Sequence, residues 1–195
     1  MRQPRDLGWR AIVLVVAFVS VACAGSGGGG SATSRATPSP VASSFESFAT
    51  EQCAAMQALF HAYGNPDTAG LSPLMRSFTD AIEGGDAVIA AEKAREIRSE
   101  IEGGRVHVRS AGGWAPAAAA MVQLDRFLVA FDRMVEVRLA AMPKGPAIAE
   151  REGQAAFEAA GGVEAWFGWI KSVGEMRTAT GSTRSLPKCE GVPIS

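Results

Sequence analysis

Apolar residues recur at helical spacing through most of this chain. Phe45, Ala49, Gln52, Met56, Leu59 and Tyr63 trace one stripe, Phe48, Cys53 and Phe60 widen it, and Gly64-Asn65-Pro66 ends it. Ser43, with Glu46 three residues on, reads as a capping box at its start. Ser72-Pro73 opens a short helix, with Ser as N-cap and Pro in the first turn. Leu74, Met75, Phe78 and Ile82 form its apolar face, and Gly84-Gly85 closes it. Asp86 caps a third helix. Ala87, Ala90, Ala94, Ile97, Ile101, Gly104, Val108 and Ala111 keep one register straight through Gly103-Gly104. An alternating strand over 105–109 competes, but a lone strand has no partner for its backbone. Two interior glycines cost a helix only about 2 kcal/mol together, so the spacing predicts helix to about residue 111.

Residues 116–142 give the longest uninterrupted pattern. Met121, Leu124, Leu128, Phe131, Val135 and Met142 make one seam, and Ala120, Phe127, Met134 and Ala141 make a second beside it. A stripe this broad faces more than one neighbour, so this helix is expected at the centre. After the break at 143–146, Ala156, Ala159, Val163, Trp166, Ile170 and Val173 predict one helix to about 177, passing through Gly161-Gly162. The tail 178–195 is expected to be irregular. Four long helices with short breaks predict an all-α, up-down-up-down four-helix bundle over 43–195, with the short helix 72–84 as an addition.

The N-terminal pattern differs. Arg2, Arg5 and Arg10 precede an apolar run over 11–22, AIVLVVAFVSVA, and then come Cys23 and a glycine-rich stretch. The run is shorter than the roughly 20 residues a membrane-spanning helix needs. A basic segment, a short apolar core and a small residue before the cut make a secretory signal. With Val21-Ala22-Cys23 at its end, and Ser20 where leucine is usual, this signal resembles that of bacterial lipoproteins. The resemblance covers 1–23 only. It implies cleavage before Cys23, diacylglycerol on the Cys23 thiol, palmitate-class acylation, and an extracytoplasmic domain held at a membrane of the cell envelope. Residues 24–42, rich in Gly, Ser, Thr and Pro, then serve as a flexible tether spanning roughly 25 Å. The chain thus divides into a signal peptide (1–22), a lipidated cysteine with its tether (23–42) and the helical domain (43–195).

Composition supports this picture. Alanine, the best helix former, is abundant, and β-branched residues are too sparse for many strands. Loss of 1–22 removes three arginines and one aspartate, so the formal net charge moves from −1 to −3. That mildly acidic chain has no footprint for nucleic acid. Three cysteines are odd for an exported protein. If Cys23 carries lipid, Cys53 and Cys189 remain as a disulfide pair, pinning the C-terminal tail to the first helix.

Motifs for chemistry are missing. Glu-x-x-His fails because Ala58 and Gly104 stand three before His61 and His107, and there is no His-Glu-x-x-His, Gly-x-Ser-x-Gly or phosphate-binding loop. No catalytic residue, metal or cofactor is therefore assigned. His61 reads as a surface residue or a partner of the helix C-terminus. The most patterned polar feature is Asp125-Arg126 echoed by Asp132-Arg133, with Glu136 four after Asp132. These charges either flank the core of the central helix in salt bridges, or form a polar pocket in which Arg126, Arg133 or Arg138 meets an anion. Arg105, His107 and Arg109 are a second anion candidate, weakened if helical because they then share no face. Trp169, off the core stripe that Trp166 joins, is the best candidate for a binding surface. The expected function is a non-enzymatic envelope lipoprotein whose bundle binds an envelope protein partner or supports a complex. A small-molecule sensing bundle is the alternative, and an enzyme of unrecognised type is the third.

Overall fold

The computed structural model describes residues 44–65, 70–180 and Cys189. It is an all-α bundle of six helices: α1 (Phe45–Ala62), α2 (Pro73–Gly84), α3 (Ala87–Ala111), α4 (Ala118–Ala141), α5 (Pro146–Ala159) and α6 (Gly162–Ala179). Short 3-10 turns, Ala115–Ala117 and Met142–Lys144, flank α4. The N-caps follow local chemistry. Ser72 Oγ accepts from Met75 N–H at 2.9 Å, and Asp86 Oδ1 accepts from Ile89 N–H at 3.0 Å. At α1 the cap is Ser44, accepting from Ser47 N–H at 3.2 Å, one residue beyond the expected Ser43, which lies outside the described residues.

Cross-helix contacts set the directions. Glu51 meets His107, and the Ala58 methyl lies against Gly104, so α1 and α3 are antiparallel. Arg98 meets Asp132 and Arg105 meets Asp125, so α3 and α4 are antiparallel. α4 is central, packed on α3, α5 and α6. Its inner faces bury Met121, Leu124, Leu128, Phe131 and Val135. Phe45, Phe48 and Trp114 close one end of the core, and Tyr63 stands edge-on to Phe131 toward the other.

Two expectations resolve oppositely. α3 runs through Gly103-Gly104 without a break. The last region does not run through Gly161-Gly162. Gly161 adopts φ +73°, a left-handed conformation that stops α5, and α6 restarts at Gly162. The direction is nevertheless kept. Phe127 of α4 meets Phe157 of α5 edge-on and lies tilted against Trp166 of α6, and further back along α4 Gln123 lies against Gly168. The fourth rod of the up-down-up-down bundle is therefore two helices end to end. A feature the hydrophobic pattern does not carry is a minimal antiparallel ladder between α1 and α2, pairing Gly64 with Leu71 and Asn65 with Gly70.

The disulfide Cys53–Cys189 is present, with a sequence separation of 136. It ties the C-terminal region to α1. The tether 24–42 and most of the tail lie outside the described residues.

Candidate functional site

The heptad-spaced charges of α4 face α3. Arg98 Nε donates to Asp132 Oδ1 at 2.8 Å and its NH2 to Oδ2 at 3.3 Å. One heptad along, Arg105 grips Asp125 the same way, at 2.9 and 3.4 Å. Each arginine is held above its ordinary pKa, first by the hydrogen bond to its aspartate. Two forks seven residues apart on both helices make a zipper along the α3–α4 edge. The proximity of Asp132 and Glu136 is relieved from two sides, because Glu136 takes Arg133 at 2.6 Å. Arg126 is exposed, with no ion-pair partner among the described residues. These five residues therefore do not converge on a cavity. The trio Arg105, His107 and Arg109 likewise splits among Asp125, Glu51 and Glu102.

Trp169 is half-buried against Trp166, ring centroids 5.0 Å apart, and continues the Phe127–Phe157–Trp166 stack. Its indole Nε1 is buried without a hydrogen-bond partner among the described residues. It belongs to packing between α4 and α6, not to an exposed apolar patch. Lipidation at Cys23 falls outside the described residues.

Two sites are assembled that the sequence reading did not assemble. The first surrounds Arg138, whose side chain is 6% exposed. Its guanidinium pairs with Glu150 of α5 and lies 5.5 Å over the Phe78 ring of α2. Burial pulls its pKa below the ordinary arginine range, against the opposing pull of Glu150, Glu83 and Tyr63. Its stem lies where a Cβ on Gly153 would sit, 2.2 Å from Cγ, so only glycine fits there. Tyr63 belongs to the same cluster, and burial, reinforced by Glu150, pushes its phenol up to about 12. The signal was available: position 138 lies three past Val135 and four before Met142, on the core seam.

The second is an open groove of about 760 Å³ between α1, α3 and the ladder. Ala54, Ala58 and Gly103 give it a shallow wall, Phe60 and Leu71 add apolar surface, and Gln57, His61, Glu100 and His107 carry its polar groups. Two imidazole–carboxylate pairs cross it in opposite senses. His107 Nδ1 lies 2.7 Å from Glu51 of α1, and His61 Nδ1 lies 3.8 Å from Glu100 of α3. Glu51 is half-buried, so it fixes the His107 ring from behind.

Among the described residues there is no group of three or more His, Cys, Asp or Glu side chains that could hold a metal ion. No described helix is long and apolar enough to cross a membrane. With this geometry in hand, comparison with known proteins adds no relative: no family model, curated protein or solved structure matches the chain.

Proposed function

We propose that this chain is a lipid-anchored, extracytoplasmic helical bundle of the cell envelope, acting as a non-enzymatic binding module. The observation that carries the reading is the Cys53–Cys189 disulfide. It accounts for two of three cysteines and leaves Cys23, directly behind the signal-like run, with no cysteine partner in its own chain. A disulfide of this kind also suits an oxidising compartment outside the cytoplasm. Binding is assigned to the α1–α3 groove, because Asp125 and Asp132 of α4 are held by Arg105 and Arg98, Arg133 pairs with Glu136, and Trp169 packs against Trp166. On this reading the binding face is the α1–α3 groove and not the α4 charges or Trp169.

Fractionation of cells making the full chain and its Cys23→Ser variant tests the anchor. The native chain is expected in the membrane fraction, released only by detergent. The variant is expected uncleaved, or soluble outside the cytoplasm. Equal incorporation of labelled palmitate by the two chains would overturn the anchor, since an uncleaved variant stays in the membrane through its own apolar run.

A further inference from the structure

Like Gly174 of α6, Gly103 is an exposed helix-interior glycine that no packing contact explains. Nothing lies within 4 Å of where its Cβ would be, and it is exposed in the interior of α3. A helix-interior glycine weakens a helix relative to alanine, and at Gly104 next door contact with Ala58 gives a packing reason for it. At Gly103 no packing gain offsets that cost. Its effect is to open the groove at the height of Ala54 and Ala58.

The groove's chemistry favours one charge. Among the described residues no lysine or arginine lines it, while Glu100 does and Glu51 stands behind His107. Glu51 Oε2 lies 2.7 Å from His107 Nδ1, so Nε2 is the ring nitrogen not engaged by Glu51. Glu100 and His107 lie seven residues apart on α3, about 10 Å along the axis. Phe60 supplies an aromatic wall, and Gln57 a further amide. Acceptors, a carboxylate, an aromatic ring and a shallow small-residue wall suit a cationic donor with a short aliphatic body. They disfavour anions, whose charge Glu100 would repel.

We propose that the α1–α3 groove binds a small organic ammonium, its N–H groups donating to the Glu100 carboxylate and its methylenes lying over Ala58, Gly103 and Ala54 toward His107. This rests on the groove being the binding face, and it is independent of the lipid anchor. The ammonium belongs either to a free aliphatic amine or to a lysine side chain. Titration of the detergent-solubilised full chain, followed through the two histidine ring signals by NMR, uses putrescine, α-blocked lysine amide, butanediol and adipate as probes. Putrescine or blocked lysine is expected to shift the His107 ring and to bind at least about tenfold more tightly than butanediol, with adipate weakest. Tighter putrescine points to a free amine, and tighter lysine amide to a protein side chain. Glu100→Gln and Gly103→Leu, both at solvent-facing positions, should each weaken amine binding about tenfold while thermal unfolding shows the variant folded. Amines no better than butanediol, or Gly103→Leu binding like the native chain, would overturn the assignment. Either result would leave the anchor untouched.

Discussion

Gly103 and Gly104 stand side by side in α3 and meet opposite surroundings. Alanine at 103 meets empty space, so Gly103→Ala is expected to stabilise the chain by up to about 1 kcal/mol through helix propensity alone. Alanine at 104 brings its Cβ to 3.1 Å from the Ala58 methyl, so Gly104→Ala should gain less than Gly103→Ala. Urea denaturation of the two variants gives the comparison directly, and a larger gain at 104 would contradict the packing. The register of α3 was legible in the sequence, but the difference between its two glycines was not, because it depends on what α1 places opposite. Tyr63 offers a second residue-level test. Its phenol titrates near 10 when unfolded but is pushed up to about 12 in the fold, so the folded state holds the proton more tightly. Stability is therefore intact below pH 10 and falls as pH rises from 10 through about 12. Tyr63 is the only tyrosine, so phenolate absorbance follows this group alone. The native midpoint should lie well above that of the urea-unfolded chain, and Tyr63→Phe should flatten this part of the stability profile.

At the scale of elements, the break between α5 and α6 shows where periodicity stops informing. Both helices pack on α4 and run the same way, but the expected stripe is not one buried face: α5 buries Ala149, Gly153 and Phe157 and leaves Ala159 exposed, and α6 buries Ala165, Trp166 and Val173. A hydrophobic stripe cannot distinguish a glycine in helical conformation, such as Gly103, from one in the left-handed region, such as Gly161. Replacing Gly161 by alanine forces a Cβ into φ +73° and should destabilise the chain by about 1 kcal/mol or more. A stabilising Gly161→Ala would mean that α5 and α6 form one helix in solution. The charges of α4 show the complementary limit. Their heptad spacing was plain in the sequence, and a salt-bridged flank was one of its two readings. The partners Arg98 and Arg105 sit on another helix, and only the antiparallel α3–α4 register brings them opposite Asp132 and Asp125. The groove was less legible still, because His61 and Glu51 come from α1 and His107 and Glu100 from α3.

For the molecule as a whole, the disulfide joins the first helix to the C-terminal region across 136 residues. In the chain-entropy description a loop of that length is worth about 5 kcal/mol. Cys53→Ala combined with Cys189→Ala should lower the urea midpoint accordingly, whereas an unchanged midpoint would make the bridge energetically idle. That pairing also frames the account's central claim, that the remaining cysteine is an anchor. The most direct measurement is mass spectrometry of the full-length product recovered from native membranes without reductant. The expected product is an N-terminal peptide beginning at Cys23 with added diacylglycerol mass, together with a crosslinked Cys53–Cys189 peptide. An N-terminus that retains 1–22, or a Cys23 peptide of unmodified mass, would contradict it.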